Sequence, residues 1–66
     1  MTAGNQPSYK LTFEDAVRVH LMLMDGWLQS RIAAFFGTNQ GRICEVNTGK
    51  RHPGSYREAL RRKKAA

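Results

Sequence analysis

The chain has few of the residues that could hold a small fold together covalently or through a metal ion. It contains one cysteine, Cys44, so no disulfide can form within it, and the residue spacings of zinc sites are absent. No apolar run approaches the roughly 18 residues of a membrane span, and residues 1–7 lack the basic and apolar regions of a signal peptide. We therefore expect a soluble, cytoplasmic protein with no metal, no cofactor and no membrane association.

Acidic residues are scarce and unevenly placed. The chain of 66 residues has 5 Asp and Glu against 11 Lys and Arg, a formal net charge of +6. Residues 1–49 contain equal numbers of acidic and basic residues, whereas residues 50–66 contain seven basic residues and one acidic residue, Glu58. Charge asymmetry of this kind points to nucleic acid or an anionic membrane surface, and a solubilising tail is the alternative.

Caps, glycines and apolar spacing predict a single all-α domain with three or four helices. Residues 1–10 show no apolar period and are expected to form a flexible arm. Thr12 as an N-cap and Gly26 as a stop indicate a first helix over 13–25. A second helix over 29–36 ends at Gly37, and a third begins after Thr38 or Asn39 and ends at Gly49. In the C-terminal segment, residues 53–66, the capping box SYRE predicts a short fourth helix over 56–63.

The segment GWLQSRIAAFFGTNQGRICEVNTGK, residues 26–50, resembles the helix-turn-helix of small bacterial and phage DNA-binding proteins. It is similar in particular to the homeodomain-like domain of resolvase and invertase recombinases. The likeness covers about residues 11–51, within an expected DNA-binding domain over residues 11–52. Ala33, Gly37, Ile43 and Val46 occupy the small, turn and branched apolar positions of that motif. The chain departs from it at Leu28, where a capping Ser or Thr is usual, and at Thr38, where an aliphatic residue is usual.

The resemblance implies two sets of DNA contacts. Side chains near the start of the third helix and one turn later would reach base edges in the major groove: Asn39, Gln40, Gly41, Arg42, Cys44 and Glu45. For Asn39 a capping role is an equal alternative, and Glu45 could simply pair with Arg42 across one turn. Phosphates or the minor groove would be contacted by Gln29, Ser30, Arg31, Lys50, Arg51, Arg61, Arg62, Lys63 and Lys64.

The first helix has more apolar surface than one small core requires. Ala16, Val19, Met22 and Leu23 form the stripe that the resemblance assigns to the core. A second stripe of Phe13, Val17, Leu21 and Met24 remains, which Trp27 or Leu28 could extend, and we expect it to form a homodimer interface suited to palindromic DNA. The alternative is that the C-terminal helix folds back and covers this stripe.

These features favour a sequence-specific, double-stranded DNA-binding transcriptional regulator. One alternative is a DNA-binding accessory or recombination-directionality factor of a mobile element. Another is an antiactivator or antitoxin that binds a protein partner through the apolar stripe. An enzyme is not expected, because the chain has no paired carboxylates in a plausible pocket, no triad and no glycine-rich phosphate loop, and Cys44 has no well-placed histidine beside it.

Overall fold

The computed structural model describes residues 10–65, and this part of the chain is entirely helical. Its four helices are α1 (Phe13–Met24), α2 (Gln29–Phe36), α3 (Gln40–Asn47) and α4 (Ser55–Ala65), and it contains no strand. The expected all-α class is confirmed. Apart from Lys10, the expected N-terminal arm lies outside the described residues.

Local capping explains where α1 begins and ends. The Thr12 hydroxyl accepts a hydrogen bond from the Asp15 backbone N–H (3.1 Å), and the Thr12 N–H donates to the Asp15 carboxylate (3.0 Å). This reciprocal pair is a capping box, which satisfies two backbone donors that the helix cannot. At the other end, Gly26 adopts a φ of 94°, a conformation that other residues rarely tolerate.

The connection between α2 and α3 is three residues long. Gly37 lies in the left-handed region (φ 70°, ψ 33°), and the Thr38 N–H turns back to donate to the Ala33 carbonyl at 2.9 Å. Asn39 then caps α3 through its side chain. The predicted role of Gly37 in this turn is confirmed, and of the two predicted caps the structure uses Asn39.

The core lies where α1, α2 and α3 meet. Each helix contributes two fully or almost fully buried side chains: Ala16, Val19, Ile32, Ala33, Ile43 and Val46. Leu11, which precedes α1, is buried against the same cluster. Met22, Leu23 and Phe36 are partly buried against this cluster. The predicted core positions on all three helices are therefore confirmed.

The fourth helix starts one residue earlier than predicted and has a different cap. Ser55 is its first helical residue and is buried, while the Gly54 carbonyl accepts from the Glu58 N–H at 3.1 Å. Gly54 thus occupies the N-cap position, and the predicted capping box around Ser55 is wrong. The Ser55 side chain is used in packing, a tertiary contact that a local pattern does not report.

The fourth helix packs against α1 and covers part of the second apolar stripe. Val17 on α1 and Ala59 on α4 are both fully buried, and the rings of His20 and Tyr56 meet edge to face at 5.3 Å. Leu21 and Met24 are half-buried, and Phe13 stays exposed. The expected dimer interface is therefore wrong at Val17, because a second copy cannot reach a side chain that lies beneath α4.

Candidate nucleic-acid interface

The third helix is buried on one side and polar on the other. Ile43 and Val46 lie fully inside, which turns Gln40, Gly41 and Cys44 outward to solvent. These three residues are on the face that the sequence assigned to base contacts. An exposed helix face with one amide, one glycine and one small thiol lets another surface approach the backbone closely.

Asn39 and Gly41 together form the start of α3. The Asn39 Oδ1 accepts a hydrogen bond from the Arg42 N–H at 2.9 Å, so its oxygen is used for capping. A Cβ added at Gly41 would lie 3.2 Å from this same oxygen, closer than most such contacts. Gly41 therefore has an intramolecular reason to lack a side chain, besides close approach to a ligand.

Glu45 holds two arginines along the side of α3. Its Oε1 is 3.2 Å from Arg42 Nη1 and 2.5 Å from Arg51 Nε. Hydrogen bonds from Arg51, then from Arg42, lower the pKa of the Glu45 carboxyl below its ordinary value. The pair expected between Glu45 and Arg42 is present, and Arg51 joins it from beyond the helix. Glu45 thus fixes where both guanidinium groups lie.

The first turn of α2 offers backbone donors without a side-chain cap. Leu28 occupies the N-cap position and makes no capping hydrogen bond. Gln29 is half-buried, while Ser30 and Arg31 are exposed. The N–H groups of a helix start attract anions, and the positive charge of Arg31 adds to this effect. The expected phosphate contacts at residues 29–31 are therefore available at the surface.

The basic residues of α4 are mostly engaged within the chain. Arg61 and Arg62 both bind Glu58, Arg62 also binds Glu14, and Lys63 binds Asp25 at 3.1 Å. Hydrogen bonds from Arg61 and Arg62 lower the pKa of Glu58 to about 2. Two of the four C-terminal residues assigned to phosphate, Arg62 and Lys63, therefore join α4 to the two ends of α1, while Arg61 pairs within α4.

Other cations remain available. Of the cations assigned to phosphate, Arg31, Lys50 and Lys64 are exposed and form no ion pair with another of residues 10–65. Lys50 follows α3 directly, whereas Lys64 lies near the end of α4, which packs against α1. The structure thus brings Lys50 and Arg51 to α3 and leaves the α4 cations on a separate element.

Two features were missed in the sequence. An open cleft of about 230 Å³ separates the end of α3 from the start of α4, and the buried His20 lies at its base. Burial lowers the pKa of His20 below its ordinary 6.5, and a hydrogen bond to the Val46 backbone opposes that effect. The second feature is the exposed ring of Phe35, which lies beside Trp27.

No family model, curated protein or solved structure matches this chain. Within the described residues, the helices are all too short and too polar to cross a membrane. The function of the protein is therefore inferred from the geometry and chemistry of its own residues.

Proposed function

We propose that this protein is a sequence-specific, double-stranded DNA-binding transcriptional regulator of bacterial or phage type. In this proposal α2 and α3 form a helix-turn-helix, with α3 placed in the major groove. The observation that carries it is the division of α3 into a fully buried side, Ile43 and Val46, and an exposed side that begins with Gln40. The core holds α3 rigidly while its polar side stays available.

The dimensions of α3 suit the major groove. An α-helix with side chains is about 10–12 Å across, and the groove of B-form DNA is about 12 Å wide. Helices of this motif contact bases mainly with their first residues. Here those residues are Gln40 and Gly41, both exposed, and Gly41 adds no bulk between the helix backbone and the DNA.

Three side chains carry the proposed sequence discrimination. The Gln40 amide has the donor and acceptor that match adenine N7 and N6. Arg42 can donate two hydrogen bonds to guanine, and Glu45 holds its guanidinium against α3 in advance. Glu45 therefore acts chiefly by positioning Arg42, in addition to its capacity to accept from cytosine.

Phosphate contacts come from both sides of α3. The uncapped start of α2 with Arg31 lies before the turn, and Lys50 with Arg51 follows the helix. Contacts of this kind set the position of a protein on the duplex without reading its sequence. If Arg31, Lys50 and Arg51 each neutralise one phosphate, log affinity falls against log salt with a slope of about −3 per protomer.

Selection of bound sites from random double-stranded DNA tests the proposal, followed by salt titration on the selected site. A defined sequence motif and a slope of about −3 support it. No enrichment of any motif, or a slope near zero, contradicts it. Footprints over several phased sites would instead indicate the mobile-element accessory factor, and DNA affinity unchanged by Gln40→Ala and Arg42→Ala would indicate the protein-binding module.

A further inference from the structure

A cluster of aromatic side chains lies exposed where α1 ends and α2 runs past it. Trp27 and Phe35 meet edge to face at 6.1 Å, Phe35 and Phe36 at 5.0 Å, and the Arg18 guanidinium carbon lies 5.7 Å from the centre of the Phe35 ring. Leu28 continues the surface. We call these five residues the aromatic patch.

The aromatic patch exposes more apolar surface than folding alone explains. Trp27 is 43% exposed, Phe35 54% and Leu28 66%, although the core is complete without them. A contiguous apolar patch on a small protein usually marks an interface. Trp and Arg are also the residues that most often dominate binding energy in interfaces. The composition of the patch therefore fits a protein partner.

The other helix surfaces are mostly covered or polar. α4 covers the side of α1 that carries Val17, and the exposed side of α3 is polar. Within the described residues, Phe13, Tyr56 and Leu60 are exposed as well, but the rings of Trp27, Phe35 and Phe36 contact one another and form a continuous apolar surface that the proposed DNA contact does not use.

The charges at the patch are self-complementary. Arg18 and Asp25 line the same open cleft of about 290 Å³, together with Leu21, Met22, Trp27 and Phe35. In a two-fold dimer, a residue of one copy that contacts a second residue on the other copy does so twice, because the symmetry repeats the pair on the opposite side of the axis. A positive and a negative side chain flanking one apolar surface can therefore pair twice across the axis, Arg18 with Asp25 and Asp25 with Arg18.

Both charged groups keep hydrogen-bonding capacity for such a pair. The Arg18 guanidinium lies over the rings of Phe35 and Phe36, which leaves the N–H groups at its edge free to donate. Lys63 binds only the Oδ1 of Asp25, in an exposed ion pair. Exposed ion pairs are weak, so a second cation can share this carboxylate.

From these observations we infer that the aromatic patch binds a second copy of this chain, forming a two-fold dimer. The purpose of the dimer rests on the proposed function, because pairing two α3 helices matches a palindromic site and strengthens the binding of a small domain. The interface replaces the α1 stripe, whose Val17 is covered.

Sedimentation equilibrium of the protein without DNA tests the inference. The wild type should self-associate at micromolar concentrations, as small interfaces do. Phe35→Glu should weaken association by at least about 30-fold, the effect of one hot-spot residue. Tyr56→Glu is the matched control, because Tyr56 is also 54% exposed but lies on α4, and it should leave association unchanged. Circular dichroism checks that both variants fold.

Charge exchange gives a second, more specific test. Arg18→Asp and Asp25→Arg should each weaken the dimer, since each places like charges opposite one another, and the double variant should restore it. A wild type that stays monomeric at high micromolar concentration overturns the inference, as does a dimer indifferent to Phe35→Glu or a double variant no better than the single ones. Because no DNA is present, these results are independent of the DNA-binding proposal.

Discussion

Arg62 in α4 forms a two-pronged ion pair with Glu14 in the first turn of α1. Its Nη1 lies 2.6 Å from Glu14 Oε2 and its Nη2 lies 2.9 Å from Oε1, while its Nε binds Glu58 at 2.9 Å. Residues 48 positions apart are thereby joined. The hydrogen bonds from Arg62 lower the pKa of Glu14. The basic C-terminal segment is thus part of the folded unit.

Removing Arg62 should loosen α4 from α1. Arg62→Ala leaves Glu14 without its partner and Glu58 with Arg61 alone, so we expect a lower melting temperature and a smaller effect at high salt. Arg57→Ala is the control, because Arg57 is exposed on the same helix and forms no ion pair within the described residues. Equal melting temperatures for the two variants would contradict this role of Arg62.

Truncating Val17 should destabilise the isolated protomer. Val17 is fully buried beside α4, so Val17→Ala loses buried apolar contacts and should cost about 2 kcal/mol of unfolding free energy. Urea denaturation at several protein concentrations measures this loss. The loss should be the same at every concentration, and a loss that grows with protein concentration would place Val17 in a dimer interface after all.

Thr38 should gain stability when its hydroxyl is removed. Its Oγ1 is buried without a hydrogen-bond partner among the described residues. Thr38→Val keeps the shape and removes the desolvated hydroxyl, so the unfolding free energy should rise by about 1 kcal/mol. In the control Thr48→Val, the lost hydroxyl donates to the Cys44 carbonyl at 3.0 Å, so stability should not rise. A Thr38→Val protein less stable than wild type would contradict the assignment.

Stability should fall on mild acidification because of His20. Burial lowers its pKa below 6.5 in the folded state, so the unfolded chain binds the proton more readily. This contribution is complete above about pH 6.5 and is lost as the pH falls toward the lower folded pKa. Urea denaturation from pH 7.5 to 5 should show a decline in wild type that is smaller in His20→Gln, which keeps a donor for the Val46 carbonyl. Parallel curves for the two proteins would exclude His20 as the cause.

Much of the fold could be predicted from the sequence because its signals are local. Thr12, Gly26 and Gly37 act within one or two helical turns, so the start of α1, its end to within one residue and the end of α2 follow from caps and backbone conformation alone. Ile43 and Val46, three residues apart, mark the inner side of α3 in the same way. Once this inner side is known, the remaining residues of α3 give its polar, exposed side.

The contacts between segments that are distant in the sequence were harder to predict. The periodicity of α1 shows that Val17 belongs to a second apolar stripe, but α4 and a second copy would bury it equally well. Likewise, a run of basic residues does not reveal that Arg62 and Lys63 reach Glu14 and Asp25, since long side chains find their partners only in the folded structure. Both cases concern tertiary contacts between segments that are distant in the sequence.

The most direct test of DNA recognition through α3 is the ratio of affinities for the selected duplex and for a scrambled duplex of equal length, measured at one salt concentration. Gln40→Ala should lower this ratio, and the corresponding difference in binding free energy should shrink by about 1–3 kcal/mol, the contribution of one bidentate base contact. Affinity for the scrambled duplex should stay the same. Lys50→Ala should weaken both duplexes alike. A ratio that Gln40→Ala leaves unchanged would contradict the account.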